Sequence, residues 1–235
     1  MTAFDHALTL ALAVILPAYA AWDVPRMAQR VAADPVNART KDYIWSIAIQ
    51  WGLTLALIAA WWWAARPISD LGLRLPDSPG AWWRTLGIGG VGIAFCAQQA
   101  YLIATSPDAQ VKVRKQLESQ PGVRIILPAT PREARAFCGV AITAGICEEV
   151  LYRGYLLWYL LSLWPGRLAI AAAAAVLIFG VGHAYQGARG IVHTAIAGGI
   201  AMVVYLLTGS LLAPMLLHAT LDLVNGLAFY RVLRD

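Results

Sequence analysis

Cys147-Glu148-Glu149-Val150-Leu151-Tyr152-Arg153-Gly154 places two carboxylates and a guanidinium inside an apolar run from about Phe137 to Leu163. Apolar residues continue for more than a helical turn on either side of them. Each of these charges is costly to take into hydrocarbon, so charge at membrane depth marks a functional site by default. Working outward, the question for the rest of the chain is which residues supply partners for these three groups.

The composition agrees with a membrane setting. The 235 residues are 60% hydrophobic and 13% charged, with a mean hydropathy of +0.62, about half the charge of an ordinary soluble domain. An all-α polytopic transmembrane bundle is expected, with about seven spans of the roughly 20 residues a bilayer core needs. The expected spans run from about Phe4 to Trp22, Tyr43 to Ala65, Arg84 to Ala104, Pro131 to Trp164, Leu168 to Tyr185, Gly190 to Leu207 and Leu211 to Tyr230. Pro17 suggests a kink in the first. Lacking a basic n-region and a clear cleavage site, that first run reads as a retained helix. Thr130-Pro131-Arg132-Glu133 reads as the start of the fourth, with Thr130 as cap and Glu133 closing a capping box.

The polar stretch from Ser106 to Arg135 carries a surface helix over about Ala109 to Ser119, and its Lys112–Lys115 cluster suits a topology signal and lipid headgroups. Trp61-Trp62-Trp63 and Trp82-Trp83 suit interfacial belts. Cys96, Cys138 and Cys147 lie in apolar runs, an odd number without CxxC spacing, so no disulfide framework is implied. Two units follow: residues 1–130, helices and a basic loop, and residues 131–235, four tightly connected helices. Under this count thirteen basic residues fall on one side, four (Arg66, Arg74, Arg84 and Arg167) on the other, and Arg153 within. The positive-inside rule then puts the N-terminus outside and the C-terminus in the cytoplasm. A basic face on a folded domain is missing, so no nucleic-acid partner is expected.

Glu149 and Arg153, four apart, share a helical face and pair. Glu148 is turned about 100° away and remains free to act as base or acid. His183, His218 and Asp222 are the other polar groups at membrane depth, with His193 and Asn225 as additions; His6 reads as an ordinary exposed residue and Cys147 as inert packing. On the expected boundaries His183 and Glu148 differ in depth by on the order of 10 Å, unless the fourth helix starts outside the hydrocarbon.

Glu148-Glu149-x-x-x-Arg153, then Phe179-x-x-x-His183, then His218-x-x-x-Asp222 resembles the CAAX protease and bacteriocin-processing (CPBP, or Abi) family of intramembrane proteases, related to the type II CAAX prenyl endopeptidase. The resemblance covers about Pro131 to Gly226, with three motifs in order. It implies that Glu148 and His183 activate a water, and that His218 and Asp222 stabilise a tetrahedral oxyanion. It further implies that Glu149 and Arg153 hold the arrangement and that Phe179 packs beside His183. Many relatives carry Asn where Asp222 stands. An ionised Asp would repel an oxyanion, so Asp222 would be protonated or would orient His218 instead.

Family members are described both as metalloproteases and as metal-free glutamate proteases. Without HExxH, a metal-free mechanism is favoured here, with zinc at Glu148, His183 and His218 as the alternative. The implied substrate is a membrane-associated polypeptide, in a protein of the bacterial inner membrane, with any accessory membrane protein unspecified. A proton-coupled transporter would spread its polar groups along a path and show an inverted repeat, which the sequence lacks. A non-catalytic scaffold on the same fold is the third reading.

Overall fold

The computed structural model describes residues 1–234, so the end of the second unit at 235 lies outside them. Among the described residues the chain is all helix and turn, without strands. Nine helices follow one another: α1 (Ala3–Ala33), α2 (Ala38–Trp63), α3 (Pro79–Thr105), α4 (Pro107–Glu118), α5 (Pro121–Ile126), α6 (131–163), α7 (Leu168–Gly182), α8 (Gly187–Thr208) and α9 (Leu212–Arg234). Five of them, α1, α2, α3, α9 and the stretch Ala184–Thr208 containing α8, are long and apolar enough to cross a membrane. Helix α7 is apolar but shorter. All seven expected runs are helical, in a polytopic helical bundle.

Local chemistry explains where the helices begin. Ser78, Ser106 and Thr130 each accept a hydrogen bond from a backbone amide of the first turn, and a proline follows each one. The capping box of Thr130 and Glu133 is present as read from the sequence. Gly209, with φ of 67°, ends α8 in the left-handed conformation and starts the tight turn into α9.

Several boundaries differ from expectation. Helix α1 continues to Ala33 rather than ending near Trp22, because Arg30 meets Asp23 at 2.8 Å and Asp42 at 3.1 Å, so the charge that looked like a loop is tied to the helical hairpin. Pro17 follows a wide π turn, Ala11–Ile15, which accommodates the backbone bond that a proline cannot donate. The polar stretch after α3 folds into two helices rather than one. They pack on the end of α9 through Val113, Leu117, Leu127 and Val232. Of the first tryptophan cluster, Trp62 and Trp63 are exposed, but Trp61 is buried edge-on against Trp158 and donates to the Pro67 carbonyl.

The core centres on the second half of α6, whose residues Glu149–Leu156 are all buried. Around it pack α1, the end of α2, α7 and parts of α8 and α9. In a bilayer, lipid tails are as apolar as leucine, so close approach rather than hydrophobic burial selects neighbours. Gly145 shows this: a Cβ there would stand 2.6 Å from the backbone nitrogen of Ala219. The glycine lets α6 and α9 touch backbone to backbone one turn before both glutamates and next to His218.

Candidate active site

Glu148 closes the regular part of α6, and Glu149 opens an eight-residue π-helical stretch. A 3.6-residue reading does not anticipate such a wide turn, and π segments recur at functional sites. It leaves Glu149 and Arg153 on one face all the same, with Nη1 and Oε1 3.0 Å apart and both side chains buried. Arg153 Nη2 also donates to the Gly198 carbonyl at 3.3 Å, and its guanidinium lies 4.0 Å above the Phe179 ring. Gly198 is needed for this approach: a Cβ would stand 2.7 Å from the Phe179 ring and 3.1 Å from Arg153.

Helix α7 stops at Gly182, three residues before the expected end, and His183 forms its C-terminal cap ahead of a short 3₁₀ turn. The expected gap in depth between His183 and Glu148 is absent. His183 Nε2 stands 4.0 Å from Glu148 Oε2, and His218 Nε2 stands 3.9 Å from the same oxygen. Early termination of α7 and the position of Glu148 halfway along the long α6 bring them level.

Both imidazoles are held from behind. His183 Nδ1 is 2.9 Å from the Phe179 carbonyl, which can only accept, so Nδ1 carries the proton and Nε2 turns a lone pair toward Glu148. His218 Nδ1 donates to Glu149 Oε1 at 2.7 Å. The Phe179 ring packs against both, with centroids 4.9 Å from His183 and 6.2 Å from His218. Glu148 Oε2 is buried and has no hydrogen-bond partner in the protein.

The structure thus brings together Glu148, His183, His218, Asp222, Glu149, Arg153 and Phe179. Asp222 Oδ2 lies 3.6 Å from His218 Nε2. Glu149 holds His218 through Nδ1, and Asp222 stands on the Nε2 side. Asp222 faces the same side of the ring as Glu148. Sequence reasoning missed this second contact of Glu149, because a 69-residue separation gives it no local signature. It also missed Gly145 and Gly198, which read only as small residues in apolar runs. His193 is exposed. His6 is exposed yet not free, since Nδ1 lies 2.8 Å from the Tyr159 hydroxyl.

A zinc ion with bonds of about 2.0–2.1 Å to tetrahedral ligands would draw them to about 3.3 Å of one another. The Glu148-to-imidazole separations are wider. Among the described residues no group of three His, Cys, Asp or Glu side chains is arranged to hold a metal ion.

Residues 131–224 match the family model described as type II CAAX prenyl endopeptidase Rce1-like. Over this segment the chain is similar to that family. The Rce1-like segment spans less than half of the chain but holds every residue of the three motifs. This similarity and the five long apolar helices support a protein integral to the membrane. Neither a curated relative nor a solved structure matches the chain.

Proposed function

We propose that the protein hydrolyses a peptide bond in a membrane-associated polypeptide, using a water activated by Glu148 and His183 without a metal. The observation that carries this reading is the buried, unpartnered Glu148 Oε2 facing an imidazole lone pair at 4.0 Å. Two acceptors at that spacing suit one water that donates to both at about 2.8 Å. The water oxygen attacks the carbonyl carbon while one of its protons passes to Glu148 or His183. That proton then goes to the departing amine as the C–N bond breaks, leaving a free carboxyl and a free amine.

His218 acts on the carbonyl oxygen. With Nδ1 donating to Glu149, Nε2 can donate to a developing oxyanion only when the ring carries both protons. The Glu149 carboxylate, 2.7 Å from Nδ1, is the counter-charge that form would need. Asp222, beside the same Nε2, adds a donor in its protonated form. The thirteen-to-four charge bias supports a cytoplasmic C-terminus. The Ala-, Arg- and Gly-rich composition supports a bacterial inner membrane.

The test is processing of membrane-anchored candidate peptides by the purified protein in proteoliposomes. Glu148→Gln should lower turnover by about 10²–10⁴-fold, the usual worth of a positioned base, with an unchanged melting temperature. A zinc chelator should leave wild-type turnover unchanged. Intact processing by Glu148→Gln would refute the mechanism, and loss of activity on chelation would transfer the site to metal chemistry.

A further inference from the structure

We propose that Arg74 and Arg84 form a binding site for the phosphodiester of a membrane phospholipid headgroup, at the end of α8 remote from the catalytic centre. Helix α8 starts at Gly187, just past His183, and its 22 residues carry it roughly 33 Å away at 1.5 Å per residue. At the far end Arg84 Nε donates to the Leu207 carbonyl at 3.1 Å, and Arg74 Nε donates to the Gly209 carbonyl at 2.6 Å. One arginine would suffice to cap the last carbonyls of a helix. Here two converge on carbonyls two residues apart, and both line a single cavity of about 230 Å³.

The caps use only the Nε atoms. Among the described residues neither guanidinium has a carboxylate within 4.0 Å, and both side chains are exposed, so the terminal nitrogens of both forks are open to an anion from outside. Two like charges at one cavity repel unless an anion is shared, and paired guanidinium forks suit phosphate oxygens. Asp77 also lines the cavity. Its carboxylate reduces the net charge of the three side chains to one positive, which matches a singly charged phosphodiester better than a free dianion.

A neighbouring hollow of about 470 Å³ distinguishes a lipid from a small ion. It is walled by Pro76, Pro79, Trp82, Trp83 and Leu86, with Asp77 and Ser78 at the side of the first cavity, and Trp83 and Leu86 are largely exposed. An acyl chain leaving the phosphate has an apolar surface to follow. The sequence adds a second argument. Only four arginines fall on this side of the expected topology; Arg66 is taken by Asp5, and two of the remaining three meet at one cavity.

The experiment is native mass spectrometry of the full chain released from detergent, titrated with phosphatidylglycerol and, separately, with inorganic phosphate. Wild type should retain one lipid after the others are stripped. Retention should fall at least fivefold in R74Q/R84Q and stay unchanged in R167Q, which removes an exposed arginine outside the cavity. R84Q alone, the milder change, should lower it at least twofold, and circular dichroism melting checks that each variant is folded. Equal retention by wild type and a folded R84Q variant would overturn the proposal. So would displacement of the lipid by millimolar inorganic phosphate, which would make the site one for a free anion. Neither readout depends on proteolysis, so failure here leaves the catalytic reading untouched.

Discussion

Two buried carboxylate–arginine pairs in this molecule look alike in outline and differ in what they leave open. At the start of α1, Asp5 meets Arg66 through two parallel bonds of 2.8 Å. The same carboxylate also accepts from the amide and hydroxyl of Thr2, and the guanidinium lies over both Trp61 and Trp158. Both Asp5 oxygens are engaged. In the middle of α6, Glu149 meets Arg153 at 3.0 Å, but Glu149 Oε2 and Arg153 Nη1 lack aligned hydrogen bonds, and Glu148 Oε2 next door has no partner. A bidentate pair with its acceptors filled fixes a fold. A cluster with unfilled acceptors retains capacity for a substrate or a water, at a cost in stability that only function explains.

Breaking the open cluster should have the larger effect. Glu148→Gln, as above, is expected to remove turnover while leaving stability intact, since the replaced oxygen makes no bond. Glu149→Gln should do the opposite first: it strands the buried Arg153 and loosens His218, at about 3–5 kcal/mol of stability. A lowered melting temperature in detergent, together with reduced turnover per folded molecule, checks this. Equal stability of the two glutamine variants would erase the distinction drawn between the glutamates.

At the closed pair, Asp5→Asn should cost about 1.5–3 kcal/mol, the range for hydrogen bonds to charged groups. Turnover per folded molecule should stay the same, because the hydrogen bonds of the Asp5 carboxylate run to Thr2 and Arg66 and not to Glu148, His183 or His218. A matching fall in turnover would show that the two regions are coupled. The smallest effect expected is from Gly145→Ala. The added methyl would stand 2.6 Å from the Ala219 backbone nitrogen, so α6 and α9 must part by about 1 Å, at about 1–3 kcal/mol. Its sharper readout is kinetic: a wider gap between Glu149 and His218 should lower kcat more than it raises KM.

Much of this was legible in the sequence. Hydropathy placed all seven apolar helices, and the Thr130–Glu133 capping box and the Glu149–Arg153 pair are both local, readable from spacing three and four. The failures have physical causes as well. Arg30 looked like loop until Asp23 and Asp42 turned out to neutralise it on the helix surface. Glu133 read only as a helix start, yet it also receives Arg39 at 2.9 Å from α2, tying the helices together. The 3.6-residue geometry assumed for α6 holds up to Glu148 and gives way to the wider π turn after it.

By itself the sequence determined that this is a helical membrane protein, which residues carry charge at membrane depth, and the order of the three motifs. These follow from composition and from spacing within single helices, where the backbone fixes the geometry. Only the tertiary structure decided which nitrogen of each histidine faces Glu148, that Glu149 holds His218 through Nδ1 with Asp222 on the Nε2 side, and that Gly145 and Gly198 permit the contacts. Those outcomes depend on distances of a few ångströms between helices far apart in the chain. No local propensity encodes such distances; they are set by how closely neighbouring backbones can approach.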